Sequence, residues 1–212
     1  LFWYFRNDIF KLKNQASKSF LDFLLHERLL RSILIGTIPI IFLGGNIKLF
    51  APNFFDNILR SNLSIALISF LMSIFMYFAD SMKRGFLNLK NHSHFDSFLI
   101  GISQAFAIFP GVSRSGITIS TALLLGWERS DAAKFSFLLG IPSISIAGIV
   151  EFITSFNEFS SLNFTPIIVG LISTFISSLF AIKFFLKYIS SNGLKVFIIY
   201  RFLFGVVILL NS

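Results

Sequence analysis

The stretch SFLIGISQAFAIFPGVSRSGITISTALLLGW, Ser97–Trp127, carries one charged residue, Arg114, and a Pro-Gly pair near its middle. Crossing ~30 Å of hydrocarbon takes ~20 residues, so this stretch is too long for one span and too short for two. Pro110 cannot continue a helix and Gly111 tolerates a sharp turn. The reading that satisfies both constraints is a helix, a turn and a second helix that return to the side they entered from. It predicts a re-entrant hairpin over residues 97–127.

Charge on either side of the hairpin tests that reading. Further uncharged stretches occur at Ser32–Ile47, Ser61–Ala79, Phe135–Val150 and Phe159–Ile182, and a last one, Val196–Ser212, holds Arg201. If the hairpin is re-entrant, the loops Arg6–Arg31, Ser81–Asp96, Trp127–Lys134 and Lys183–Lys195 share one face. That face collects nearly all the Lys and Arg residues and leaves only Lys48 and Arg60 near the other. The positive-inside rule makes the basic face cytoplasmic and places Ser212 outside. A simple crossing at Ser97–Trp127 would instead put basic Lys183–Lys195 outside and the Glu151–Asn163 loop, which lacks Lys and Arg, inside.

Composition agrees. Of the 212 residues 55% are hydrophobic and 13% charged, and the mean hydropathy is +0.80, above soluble-domain usage. The fold class predicted is all-α, a polytopic membrane helix bundle, with residues 1–212 forming one integral membrane domain. The net charge of +8 sits in short loops and forms no continuous stripe, so no nucleic-acid partner is expected. The absence of cysteine excludes disulfides, thiolate metal sites and cysteine nucleophiles. Leu1-Phe-Trp-Tyr-Phe reads as the tail of an apolar segment cut off upstream. Gly126-Trp127 is read as a helix C-cap followed by an interfacial aromatic, and Ser191-Asn192-Gly193 as a tight turn. The 30 Phe residues read as lipid-facing and packing bulk.

Arg114 is the chemical signal. An arginine at the centre of a membrane helix costs ~2.5–3.5 kcal/mol on insertion scales and so needs a reason. Ser113, Ser115 and Thr118 surround it with hydroxyls, and a helix beginning at about Ser115 presents unpaired N–H groups. A guanidinium fork, a helix N-terminus and closely approaching backbone at Gly111 together suit an anion, phosphate above all. Gly111, Ser113, Arg114, Ser115 and Thr118 are the candidate anion-binding residues. The structural alternative is a capped helix with Arg114 paired to a carboxylate or carbonyl, although no acidic residue lies between Ser97 and Trp127. Arg201 reads equally as a second phosphate contact, as a partner of Glu151 or as a snorkelling side chain. Glu151 reads as the start of a solvated loop, as that partner or as a metal ligand. Gln104 reads first as a hydrogen bond to a neighbouring helix and second as a substrate contact, the pocket being close. His26, His92 and His94 fall in loops and receive no catalytic role, and no metal ligand is assigned.

The run from Gln104 through Pro110-Gly-Val-Ser-Arg-Ser-Gly-Ile-Thr118, continuing to Gly126 and to Phe135-Ser-Phe-Leu-Leu-Gly-Ile-Pro142, resembles the undecaprenyl-diphosphatases, or bacitracin-resistance proteins. The resemblance reaches from Leu1 to Tyr200-Arg201 and the last span. It implies an enzyme of the bacterial inner membrane that hydrolyses undecaprenyl diphosphate to undecaprenyl phosphate and inorganic phosphate, recycling the lipid carrier of cell-wall synthesis. It also implies two inverted halves, each with a re-entrant hairpin, around a site open to the outer side. Ser113, Arg114, Ser115 and Thr118 match the family's second motif, so the resemblance implies Ser113 and Arg114 as candidate catalytic residues and Gly111, Ser115, Thr118 and Arg201 as candidate substrate-binding ones. The first motif, with paired glutamates and a histidine, has no counterpart in residues 1–212. The resemblance therefore implies a chain that begins after the first hairpin, ~50 residues in, and little or no activity from residues 1–212 alone. A divalent cation, Mg or Ca, would find its ligands in that preceding part, and the nucleophile could be Ser113, a serine of the other half or water. The implied partners are the polyprenyl diphosphate, the membrane and another copy of the chain in a homo-oligomer. The competing function is a lipid or anion transporter or flippase, which also aims helix N-termini at anions.

Overall fold

The structure is a computed structural model that describes residues 3–6, 28–50, 60–82, 85–154 and 164–211. Seven α-helices run through it: α1 Arg28–Phe50, α2 Asn62–Ser81, α3 His94–Ala105, α4 Arg114–Leu124, α5 Arg129–Thr154, α6 Phe164–Asn192 and α7 Lys195–Leu210, with a 3-10 turn at Phe106–Ile108. There is no strand among the described residues, only an isolated bridge between Leu87 and Trp127. Four stretches, Arg28–Asn46, Asn62–Ser81, Arg129–Thr154 and Thr165–Asn192, are long and apolar enough to cross a membrane. Large apolar side chains such as Phe42, Leu71 and Phe180 stand exposed on the outside. In water such a surface would aggregate, whereas hydrocarbon solvates it. The chain is an all-α, multi-pass membrane protein.

One end of the bundle is a clasp of polar contacts that gathers helix ends distant in sequence. Asp80, at the end of α2, takes an ion pair from Arg129 Nη2 at the start of α5, 2.7 Å, and the N–H of Leu194 between α6 and α7, 3.1 Å. Gly193, with φ of 70°, lets the chain turn there, and its Cα lies so close to Asp80 that a Cβ would meet the carboxylate at 2.7 Å. The strand-like segment around Leu87 exchanges backbone bonds with Gly126 and Glu128. Arg28 donates to the Lys90 carbonyl, joining α1 to the loop before α3.

Ser32 of α1 completes the clasp. Its hydroxyl lies 2.8 Å from His92 Nε2 and 3.0 Å from His94 Nδ1. His92 Nδ1 faces the Asn88 carbonyl, so it carries the proton and Nε2 accepts from Ser32. The Ser32 oxygen then accepts from His94. Burial holds both imidazoles below the usual histidine range, helped for His94 by Arg31 and Arg28, so the relay is neutral near neutral pH.

Because Ser93–His94 and Trp127–Glu128 both belong to this clasp, the chain from α3 to α4 leaves one end of the bundle and returns to it. Ser93 caps α3 with a full capping box to Asp96. The α3 helix lies on α1 with almost nothing between the backbones. A Cβ on Gly101 would stand 2.3 Å from the Gly36 carbonyl oxygen, and one on Gly36 would stand 2.9 Å from that of Ser97. This is the close approach that small residues allow between membrane helices.

Several boundaries differ from the sequence reading. The segments expected as loops at Trp127–Lys134 and Lys183–Lys195 are largely helix, since α5 starts at Arg129 and α6 runs on to Asn192. Charge ends hydrocarbon, but it does not end a helix, and Lys and Arg are good helix formers. Trp127 is 1% exposed. It packs on His92 and Phe135, with ring centroids 4.8 and 5.0 Å away, instead of standing at the lipid interface. The expectations for His26, for the greater part of the Arg6–Arg31 and Glu151–Asn163 loops and for Ser212 lie outside the described residues.

Gly101→Ala is expected to force α1 off α3 and to destabilise the protein by about 1–3 kcal/mol, the usual cost of overpacking. Gly148→Ala, whose added methyl meets nothing within 4 Å, is the control and should leave stability within about 0.5 kcal/mol. Thermal unfolding in detergent of the two variants beside the parent measures both.

Candidate active site

At the far end of the α3–α4 hairpin the chain turns through Phe109-Pro110-Gly111-Val112, with Val112 N–H bonded to the Phe109 carbonyl. Gly111 has φ of 92°, and a Cβ there would stand 2.8 Å from the Ile65 carbonyl oxygen of α2. Conformation and space therefore both demand glycine. Arg201 of α7 donates from Nη1 to the Gly111 carbonyl, 2.9 Å. Its charge thus holds the tip of the turn, and it is to this carbonyl, not to Glu151, that the structure pairs it.

Helix α4 begins one residue earlier than the sequence suggests, because Ser113 is the N-cap. Its Oγ accepts from Gly116 N–H, and its carbonyl takes the Ile117 N–H. Arg114 and Ser115 occupy the first two helical positions, and their N–H groups have no partner among the described residues. Gly116 is needed for this start to lie on α2, since a Cβ would meet Met76 Sδ at 3.1 Å. The segment from Gly111 to Ser115 is half-buried, so a ligand can reach the open helix end.

The Arg114 side chain turns back along the hairpin. Nε donates to Gln104 Oε1 of α3, 2.9 Å, and Nη2 to Ser143 Oγ of α5, 3.4 Å. Ser143 also reaches Gln104 Oε1 at 3.2 Å and the Leu139 carbonyl at 2.8 Å. The guanidinium lies against Gly140, where a Cβ would stand 2.4 Å from Nη2. No ion pair to Arg114 occurs among the described residues, and its Nη1 makes no hydrogen bond among them. A charge gripped on two donors by neutral oxygens keeps its field and its remaining donors for an anion.

The other sequence-derived residues divide. Ser113, Arg114, Ser115 and Gly111 stand together at the tip. Thr118 is buried and its hydroxyl is engaged, 2.7 Å from Ser136 Oγ of α5 and 2.9 Å from the Arg114 carbonyl, so it ties α4 to α5. Ser143, Gly140 and Ser136 were not among the candidates. The signal for Ser136, Gly140 and Ser143 was their shared spacing on one side of α5, at intervals of three to four residues, but a polar face in a membrane helix does not announce which neighbour it meets.

A groove of about 400 Å³ opens beside the turn, lined chiefly by Ile40, Ile41 and Gly44 of α1, Ile108, and Ile146 and Val150 of α5. Ser143 lies in it and Glu151 at one end. The groove is apolar along its length and reaches the serine that holds Arg114. The described residues contain no group of three or more His, Asp or Glu that could hold a metal ion.

Comparison with known proteins bears on this geometry. Residues 1–207 match the family described as bacitracin resistance protein BacA. The undecaprenyl-diphosphatase of Prochlorococcus marinus strain MIT 9301 is 72% identical over 209 residues, 99% of this chain and 79% of that protein. The protein of the same name from strain MIT 9312 is 74% identical over 208 residues, 98% of this chain and 78% of its own length. A more divergent undecaprenyl-diphosphatase, from strain MIT 9515, is 60% identical over 211 residues, with 100% of this chain and 79% of that protein covered.

Gly140→Ala, made in protein expressed from the complete open reading frame, should displace the guanidinium and weaken binding of inorganic diphosphate about tenfold, or about 1.4 kcal/mol. Titration calorimetry reads the change, and Gly148→Ala should show none.

Proposed function

Because the chain belongs to the family of the bacitracin resistance protein BacA, we propose that it removes the terminal phosphate of undecaprenyl diphosphate at the hairpin tip. The products are undecaprenyl phosphate and inorganic phosphate, and the purpose is to return a lipid carrier to cell-wall synthesis. The observation that carries this reading is Arg114: a half-buried guanidinium with no carboxylate partner among the described residues, at an open helix N-terminus, beside an apolar groove. The relatives, undecaprenyl-diphosphatases, supply the substrate.

In this reading the prenyl chain lies in the groove between α1 and α5, and the diphosphate lies over the start of α4. Arg114 forks onto the terminal phosphoryl oxygens, and the N–H groups of Arg114 and Ser115 meet the same charge. The oxygen of water adds to the terminal phosphorus as its bond to the bridging oxygen breaks. The bridging oxygen leaves on undecaprenyl phosphate, and the protons of water remain with the phosphate released or pass to solvent. Negative charge spreads over the transferring group, and preorganised donors in a site with little water stabilise it. Ser113 uses its oxygen to accept from Gly116, which leaves its own proton free to donate to a phosphoryl oxygen. Ser115 offers a second hydroxyl at the same opening. Arg201 keeps the turn in place through Gly111, and Thr118 keeps α4 on α5.

The polar clasp carries the basic loops, so the positive-inside rule assigns it to the cytoplasm and the hairpin tip to the outer part of a bacterial inner membrane. The lipid diphosphate would then meet Arg114 from the outer leaflet.

Two experiments test the reading. Purified protein from the complete open reading frame should release phosphate from undecaprenyl diphosphate. Arg114→Ala should lower kcat/KM by at least ~10²–10³-fold, the scale of losing one preorganised charge-stabilising donor, and Arg114→Lys should recover little, since it lacks the fork. Translocation of the lipid without hydrolysis would overturn the proposal in favour of a flippase. For orientation, the chain lacks cysteine, so single cysteines at the exposed Asn192 and Asn211 report their sides cleanly. A membrane-impermeant maleimide added outside should label Asn211→Cys and spare Asn192→Cys, and the reverse pattern would refute the assignment.

A further inference from the structure

Gln104 presents a polar atom that nothing described so far uses. The residue is 0% exposed, and its Nε2 has no hydrogen-bond partner among the described residues. Which end of the amide is which is set by chemistry: Arg114 offers only donors, so the atom 2.9 Å from its Nε must be the oxygen. The nitrogen therefore points elsewhere with two hydrogens. A buried amide donor left unpaired costs ~1–3 kcal/mol, and such a group in a folded protein calls for an explanation. Other buried polar atoms without a hydrogen-bond partner among the described residues are Arg31 Nε, Trp127 Nε1, one Asp80 oxygen and the hydroxyls of Ser69 and Ser120, and none of these residues is bonded to the Arg114 side chain. A helical serine can turn its hydroxyl to the carbonyl one turn back, whereas the Gln104 amide is held in place by Arg114 and Ser143.

In a primary amide one N–H lies on the same side of the C–N bond as the oxygen, so on Gln104 that hydrogen lies on the side from which Arg114 Nε donates. We propose that Gln104 contacts the substrate: its oxygen sets Arg114, and its nitrogen donates to an oxygen of the same phosphate group. This rests on the phosphatase reading above and adds to it a neutral donor that distinguishes a bound phosphate from an empty guanidinium. A residue that only positioned Arg114 would need the oxygen alone.

A carboxylate at position 104 would cancel the Arg114 field in either role, so the parent protein carries the test. With ¹⁵N-glutamine labelling and assignment through Gln104→Met, one Gln104 side-chain amide proton should move downfield when inorganic diphosphate is added, as a new hydrogen bond to phosphate requires. An unmoved resonance at saturating diphosphate overturns the contact. An inactive parent protein would instead sink the phosphatase reading.

Discussion

A guanidinium held inside a helix bundle with no carboxylate partner among the described residues is the constraint around which this fold is arranged. An isolated charge in hydrocarbon is expensive, and a neighbouring Asp or Glu would have relieved the cost while cancelling the field. The bundle relieves it instead with neutral oxygens, Gln104 Oε1 and Ser143 Oγ. It makes room for the planar group by leaving residue 140 without a side chain. These three contacts come from α3 and α5, so the position of Arg114 depends on how α3, α4 and α5 meet. Their meeting depends in turn on the clasp at the opposite end, where Asp80, Arg129, Ser32 and His92 fix the helix ends. The polar interactions are thus concentrated at two levels, one tying the ends of the helices and one holding a single charge at the hairpin tip.

The hairpin solves a problem of backbone accounting. A turn at membrane depth exposes N–H and C=O groups that lipid cannot satisfy, so non-helical backbone survives there only when it is buried in protein or lines a cavity. Here Val112 bonds to Phe109, Arg201 takes the Gly111 carbonyl, and Ser113 takes the Gly116 N–H. Among the groups without a partner in the described residues are the N–H groups of Arg114 and Ser115, both at the positive end of α4. An anion would satisfy them, and the apolar groove beside the turn suits an anion carried on a lipid.

Much of this was legible in the chain before any coordinates. Loop charge and segment length placed both ends of the Ser97–Trp127 stretch on one side, and the clasp brings those ends together through Leu87, Gly126 and Glu128. Helix ends were less legible, because hydrophobicity marks where lipid stops and α6 continues past Lys183 and Lys187 to Asn192. Trp127 misled in the same way: an aromatic after a glycine at a span's end looks interfacial, yet a histidine sixty residues from Ser32 and packed on the indole makes it core.

Composition, charge distribution and the local chemistry of Pro110–Ser115 determined by themselves that this is an all-α membrane protein, with a turn at Pro110-Gly111 and an arginine at a helix start. These are properties of single residues and of their nearest neighbours along the chain, so a linear reading reaches them. Tertiary structure alone decided that Arg114 rests on Gln104, Gly140 and Ser143, that Arg201 serves the Gly111 carbonyl, and that the Thr118 hydroxyl belongs to Ser136. Hydrogen bonds between helices depend on rotation and depth to within an ångström, and a helix whose faces are all apolar or small carries no periodic mark of which neighbour each face will meet.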